Sequence, residues 1–568
     1  MDNVNNDSNS GWRWQSVLPI AQWLSGYRRE WLPSDVVAGV TLAAYAVPVS
    51  LAYATLAGLP PHCGIYCYLL GGTAYALFGS SRQLAVGPTS AIAMLVGTTV
   101  AGMAGGDANR WAGIAALTAL VVAALAAVAW LLRLSTLMSF ISETILIGFK
   151  AGAALTIALT QLPKLFGVPG GGEHFFERLW VLAGQLPQTN LAVLAFGLVA
   201  LALLLTGDKL LPGRPVALGV VVLSIVVMSL SSLGDHGLSI VGVLPQGLPA
   251  ISRPSLRLSD VDGVIPLAFA CFLLSYIESV SAARALAAKH GYEVDARQEL
   301  LGLSAANLAT AFGQGFPVAG GLSQSAVNDK AGAKTPLALL IASTTLGLCL
   351  LYLTGLLKNL PNVVLAAVVL VAVKGLIDVS ALRRLYRISR HEFSISLVAL
   401  VGVLLLGILK GVLLAAIVSL LMLLTAAARP HVAFLGRIPG TRRYTDLERH
   451  PDNELIPGML IFRVESAVLY FNSDYVRQVV WRRVQSSPDL RLVICDLSNS
   501  PRVDVAGALM LLGLQSDLAA RGVRLRLAEA HSHTRDLLRA EGLEERVGYL
   551  GRQLSVDQAI HEFESDVA

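Results

Sequence analysis

The chain has 568 residues, 54% hydrophobic and only 14% charged, with a mean hydropathy of +0.63. Soluble domains carry about 25% charged residues, so the composition excludes a wholly soluble protein and points to one embedded in a bilayer. The net charge of +5 is not a nucleic-acid footprint, because Lys and Arg gather in short stretches between apolar runs, where membrane orientation places them.

In chain order, residues 1–34 are polar and aromatic, with Trp12, Trp14, Trp23, Trp31, Arg28 and Arg29. They have the composition of a cytoplasmic segment at the membrane surface, and no cleaved signal is expected. A membrane span needs roughly 20 apolar residues. On that criterion spans fall near 37–57, 62–79, 86–104, 111–132, 141–162, 190–206, 214–232, 264–287, 297–312, 319–331, 336–356, 361–378, 393–409 and 411–427. The basic residues between them alternate in sidedness: Arg82, Arg133, Lys209 with Arg214, Lys289, Lys330 and the Arg383–Arg390 cluster fall on one side. By the positive-inside rule that side is the cytoplasm, with both termini on it.

Two of these segments are short and broken at their start, one at Gly87-Pro88 and one at Gly320-Gly321. They stand third and tenth, in equivalent places of two seven-span halves, as an inverted repeat requires. Between them, Leu267–His290 is a long apolar run holding one carboxylate, Glu278. A charge within a bilayer costs several kcal/mol and is ordinarily kept for function. The five cysteines lack metal-ligand spacing and are expected to be buried and reduced; no metal or other cofactor is expected.

From Arg429 onward the composition is that of a soluble domain. LIFRVESAVLYFN suggests a strand pair, RLVICD and VRLRLAEA two further strands, and amphipathic stretches at 473–486, 505–521 and 533–541 suggest helices between them. Strands alternating with helices imply a small α/β domain. The expected organisation is thus a surface segment (1–34), a transport domain (35–428) and a cytoplasmic domain (429–568).

At this point five motifs, in order, resemble those of the sulfate permease family of anion transporters: VVAGVTLAAYAVPVSLAYATLAGLPPHCGIY, SSRQLAVGPTSA, SFISETILIGFKAG, GFPVAGGLSQSAVN and, in the tail, VICDLSNSPRVDVAGA. The resemblance implies an α-helical membrane protein of fourteen spans in a seven-plus-seven inverted repeat, with core and gate subdomains. It also implies a C-terminal STAS domain and a homodimer. Tyr53 matches an aromatic residue of the family's anion pocket, while Val49 stands where that pattern has Gln. Gly87-Pro88-Thr89-Ser90-Ala91 matches the start of one half-helix. Leu322-Ser323-Gln324 matches the other, except that Gln324 replaces an Arg and removes a fixed positive charge. In the tail, Ala506 stands where STAS relatives carry a phosphorylated Ser, so that switch is not expected here.

The resulting candidate anion site comprises Tyr53, Thr89, Ser90, Ala91, Leu322, Ser323 and Gln324. Facing half-helix N-termini would hold negative charge through free N–H groups and dipole ends. Desolvation favours the protonated form of a carboxylate, which makes Glu278 the candidate carrier of a coupling H+. Na+ is the alternative, with Ser279, Ser281 and Thr89 as added oxygen ligands. Lys150, beside Gly148 and Gly152, is expected to serve structure through snorkelling or pairing with Glu143.

The expected activity is secondary transport of a small inorganic or carboxylate anion (sulfate, bicarbonate, chloride or dicarboxylate) by alternating access, coupled to H+. An exchanger or uncoupled channel is the alternative. A Na+-coupled bicarbonate carrier, a nucleobase carrier and a signalling scaffold built on the tail are less well supported. No nucleophile–base set, phosphate loop or metal motif points to an enzyme, and no nucleic-acid partner is expected. Frequent Ala, Leu and Arg with short loops suggests a bacterial inner membrane.

Overall fold

The computed structural model describes residues 19–134, 143–172, 174–211, 215–231, 237–254, 258–552 and 554–567. Trp12, Trp14 and Arg214 of the sequence reading lie outside the described residues. The chain divides into two compact units, Met1–Ser419 and Leu420–Ala568.

The first unit is helical. It runs α1 (Pro19–Ser25), α2 (Leu32–Leu56), α3 (His62–Phe78), a two-residue strand β1 (Val86–Gly87), α4 (Ser90–Ala104) and α5 (Ala108–Leu131). There follow α6 (Glu143–Phe166), α7 (Phe175–Gln185), α8 (Leu191–Leu210), α9 (Val216–Leu230), α10 (Leu258–His290) and α11 (Ala296–Phe312). A second two-residue strand β2 (Ala319–Gly320) precedes α12 (Leu322–Lys330), α13 (Leu337–Tyr352), α14 (Asn362–Lys374), α15 (Val379–Ile388), α16 (Arg390–Leu406) and α17 (Ile408–Ala428). Among the described residues, six helices are long and apolar enough to cross a membrane unaided. Most of the others are shorter.

Several helix starts follow from a polar residue at the N-cap. Asp107, Asn190, Asp295 and Asp378 each accept hydrogen bonds from backbone N–H groups of the first turn of α5, α8, α11 and α15. Two connections run against the sequence reading. Helix α7 lies between the spans expected at 141–162 and 190–206, where no element is expected, and α15 lies in the Arg-rich stretch after 378. With 11 and 10 residues, neither is long enough to form a span by itself.

The helices sort into two bundles by packing. One holds α2–α5 and α10–α13; the other holds α6, α8, α9 and α14–α16. Glycine permits the closest approaches. A Cβ at Gly148 would lie 1.8 Å from Ser396 O on α16, and one at Gly64 would lie 1.9 Å from Ser50 O on α2. The Gly148-x-x-x-Gly152 face thus packs against α16, as small residues do in membrane helices.

The second unit is an α/β domain. Its sheet has the order β4-β3-β5-β6-β7, with β3 (Val432–Arg437), β4 (Tyr444–Asp446), β5 (Met459–Val464), β6 (Leu492–Asp496) and β7 (Arg524–Ala528). The β5–β6 and β6–β7 pairs are parallel, the others antiparallel. Helices α18 (Ser473–Gln485) and α19 (Val505–Ala519) connect the parallel strands, as that pairing requires. After them come α20 (Ser532–Ala540), α21 (Glu544–Val547) and α22 (Val556–Val567). Phe462 and Val464 pack with α18 and α19, whereas Ile461 and Ile494 pack with α22 on the opposite face.

The strand pair expected in LIFRVESAVLYFN is a single strand. After Val464 the backbone makes only an isolated bridge, Val468 to Val503, and then turns, with Asn472 Oδ1 accepting from Leu469 N at 2.9 Å. The Asn side chain substitutes for a ladder partner and ends the extended run.

The tight α6–α16 contact gives a direct test. Gly148→Ala is expected to cost about 1–3 kcal/mol through overpacking, seen as a lower thermal unfolding midpoint of the detergent-purified protein. Gly219→Ala, whose Cβ would meet nothing within 4 Å, is expected to leave the midpoint in place.

Candidate anion site

Strands β1 and β2 pair antiparallel, Val86 opposite Gly320 and Gly87 opposite Ala319. Two residues make a weak ladder, so buried side chains hold it. Ser279 Oγ accepts from Gly320 N at 2.8 Å, and Ser325 Oγ accepts from Ala85 N at 2.9 Å. Asn307, fully buried on α11, accepts from Val318 N at 2.9 Å and donates to Val318 O at 3.2 Å. On the other side, the Glu299 carboxylate accepts from Ser80 N, Ser80 Oγ, Ser81 N and the Tyr75 hydroxyl, fixing the turn that leads to β1. Burying such polar groups is tolerable because each finds partners.

Helices α4 and α12 begin immediately after these strands. Their N-caps, Thr89 and Gly321, are extended, and neither helix start receives a side-chain capping bond. Unlike the capped helices elsewhere, these two leave first-turn N–H groups and positive dipole ends available. Both point into one cavity of about 610 Å3, lined by Pro88, Thr89 and Ser90 from one half-helix and Gly321–Gln324 from the other.

Of the residues expected at the site, Tyr53, Thr89, Ser90, Leu322, Ser323, Gln324 and Glu278 all line this cavity. Leu322 is 61% exposed, its side chain standing free. Ala91 does not line it: its side chain is buried in the apolar core, so only its main chain can serve an anion. The side chain at the second helical position points back into the bundle, while the helix end acts through backbone groups.

Gln324 is nearly buried, and its Oε1 accepts from the Tyr68 hydroxyl. Its Nε2 end then lies over Gly321, where a Cβ would stand only 2.4 Å away. Val49 also lines the cavity and makes that wall apolar.

Thr89 Oγ1 is buried without a hydrogen-bond partner, and the Glu278 carboxylate lies close to it. The Tyr53 hydroxyl faces Ser90 and Glu278. Lys150 lines the same cavity and acts electrostatically on Glu278. The structural role read for Lys150 from sequence therefore gives way to a place in the site, and the Glu143 side chain invoked as its partner lies outside the described side chains. Among the oxygens considered for Na+, Ser279 is committed to Ser275 O and Gly320 N. Toward one end the cavity is lined by Thr144, Asp378, Arg384 and Glu392, which the sequence reading missed. The Thr144 hydroxyl donates to Glu392 at 3.1 Å, and Asp378 caps α15. In the second unit His431, Asp446 and Glu448 bring possible ligand atoms within 4.8 Å of one another, at an exposed position where paired side chains commonly sit without an ion.

A model of the sulfate permease family matches residues 32–399, and one of the STAS domain matches residues 450–559. The chain belongs to the sulfate permease family. It is 34% identical over 539 residues to a probable sulfate transporter of Mycobacterium tuberculosis, covering 94% of this chain and 96% of that protein. It is 31% identical to the chloroplastic sulfate transporter 4.1 of Arabidopsis thaliana, covering 94% and 80% of the two chains. Among solved structures it resembles murine Slc26a9, described as an anion transporter in the inward-facing state, with TM-score 0.88, 23% identity and coverage of 99% and 97%. It also resembles the transmembrane domain of the cyanobacterial bicarbonate transporter BicA, with TM-score 0.60, 21% identity and coverage of 70% and 98%. These likenesses establish the fold of a sulfate permease with a C-terminal STAS domain. Its relatives are transporters rather than enzymes.

In this member of the sulfate permease family, the strand crossing depends on Asn307. Asn307→Leu removes both hydrogen bonds to Val318, and each buried group left unpaired costs about 1–3 kcal/mol. The expected result is a lower thermal midpoint together with weaker anion binding, checked by thermal shift with and without added anion.

Proposed function

We propose that this protein is a secondary transporter that carries a small anion across the bacterial inner membrane by alternating access, with a proton bound at Glu278 as the coupling ion. The observation that carries this reading is the convergence of two uncapped half-helix N-termini and one carboxylate on a single cavity. The helix ends attract the anion without fixed charge; Thr89, Ser90 and Ser323 add hydroxyl donors. With Glu278 ionised, its charge opposes an incoming anion. With Glu278 protonated that repulsion disappears, so proton and anion enter together. The commitment of the Ser279 hydroxyl to main-chain partners favours H+ over Na+ as the coupling ion.

The fourteen-span count, cytoplasmic termini and a homodimer belong to the same proposal. So do the domain limits of 35–428 for transport and 429–568 for the STAS domain. The cavity then opens toward the cytoplasm, the side bearing Arg383, Arg384, Arg387 and Arg390.

The test is uptake into proteoliposomes of labelled sulfate, bicarbonate, chloride and a C4-dicarboxylate, with and without an inward proton gradient. One anion is expected to be stimulated by the gradient, and Glu278→Gln is expected to abolish that stimulation while leaving the protein folded. Uptake indifferent to the gradient but driven by a counter-anion inside would make the protein an exchanger and leave Glu278 a structural role.

A further inference from the structure

The cavity is lined by five ionisable acidic or basic side chains: Lys150 on α6, Glu278 on α10, Asp378 and Arg384 on α15, and Glu392 on α16, with the hydroxyls of Tyr45 and Tyr53 on α2. Three of the charged groups are accounted for locally. Asp378 accepts from Ala381 N at 2.8 Å and Ser380 Oγ at 2.6 Å, and Glu392 accepts from Thr144. Arg384 lies on a helix with no buried residue and is exposed, where solvent and salt screen it. Lys150 and Glu278 remain. Both are partly buried, and Lys150 acts electrostatically on Glu278. Among the described side chains, which exclude that of Glu143, no carboxylate forms an ion pair with Lys150. The start of α12, Gly321–Ser325, carries no cation, and the Gln324 carbonyl is taken by Tyr68.

We propose that Lys150 is the charge-determining residue of the anion site: it supplies the fixed cation that lets the cavity take a divalent oxyanion, with Glu278 as its counter-charge when no anion is bound. Each helix N-terminus contributes about +0.5. With Lys150 and an ionised Glu278, the site totals about +1 and suits a monovalent anion. Once Glu278 is protonated the total becomes about +2, matching one dianion entering with one proton. Without Lys150 the protonated site would hold only about +1, from the helix ends alone. The ammonium also sits in the second helix bundle, whereas both helix ends and Glu278 belong to the first. The bound dianion therefore bridges the two bundles.

This inference rests on the reading of the cavity as the anion site. It is tested by equilibrium binding of labelled sulfate to the full-length detergent-purified protein at acidic pH, without any gradient, with chloride and nitrate as competitors. Lys150→Met is expected to lower sulfate affinity relative to monovalent anions by roughly tenfold or more, the size of one lost charge contact in a partly solvated cavity. Lys150→Arg should retain the preference, and Gln324→Arg added to Lys150→Met should restore it. Arg384→Ala should change affinity less, in a manner that added salt masks. On the wild-type protein, sulfate should slow amine-reactive labelling of Lys150, read by peptide mass spectrometry, and not that of the exposed Lys334. A Lys150→Met protein with the wild-type ratio, or unprotected Lys150 in a protein that binds sulfate, overturns the inference and leaves the anion-site reading standing. Wild-type protein that prefers chloride at every pH overturns it as well. Failure of all anions to bind the wild type would instead remove the anion-site reading itself.

Discussion

The site depends on a pairing of four residues. Val86 and Gly87 lie against Gly320 and Ala319, and that contact determines where two helices start. Because each strand is followed by an uncapped helix, the crossing aims main-chain polarity at one cavity, the proposed receptor. A two-residue ladder has little stability of its own. It persists because Asn307, Ser279, Ser325 and Glu299 surround it with satisfied hydrogen bonds. These buried polar groups are costly unless completely partnered. Their completeness places the helix ends within the same cavity.

Much of this was legible in the sequence because glycine and proline interrupt apolar runs in few ways. Gly87-Pro88 and Gly320-Gly321 announced two broken spans, and Glu278 stood out as a carboxylate where carboxylates are expensive. The pairing of the breaks was not legible, since two-residue strands fall below any periodicity signal. Lys150 was noticed as a charge and assigned to structure, because an apolar run does not disclose which face opens on a cavity. Ala91 failed for a related reason: the motif marks a helix start, and the helix start works through its backbone. Helix α15 went unread because its arginines give it the hydropathy of a loop.

The second unit shows the same limits. Strands β5, β6 and β7 were visible as apolar runs of five or six residues. The extra strand expected after Val464 was not there, because Asn472 closes a turn with its side chain and ends the ladder. Strand β4, three residues long and half-buried, carries too few apolar positions to be read without its partner β3.

An anion receptor made chiefly of peptide N–H groups has an evolutionary consequence. Side chains around it can drift while the receptor stays, because the donors belong to the backbone and are common to every sequence that folds this way. Val49 and Gln324, both unlike the family pattern, fit that freedom. On the role proposed for Lys150, selectivity is retuned by moving one charge from helix to helix, as between positions 324 and 150, without rebuilding the cradle. Changes that erase the cradle must instead act on its geometry. A side chain at Gly87, within the first strand, would strike the fully buried ring of Tyr68 at 2.6 Å, so this small position is a tighter constraint on descent than the polar residues proposed to touch the cargo.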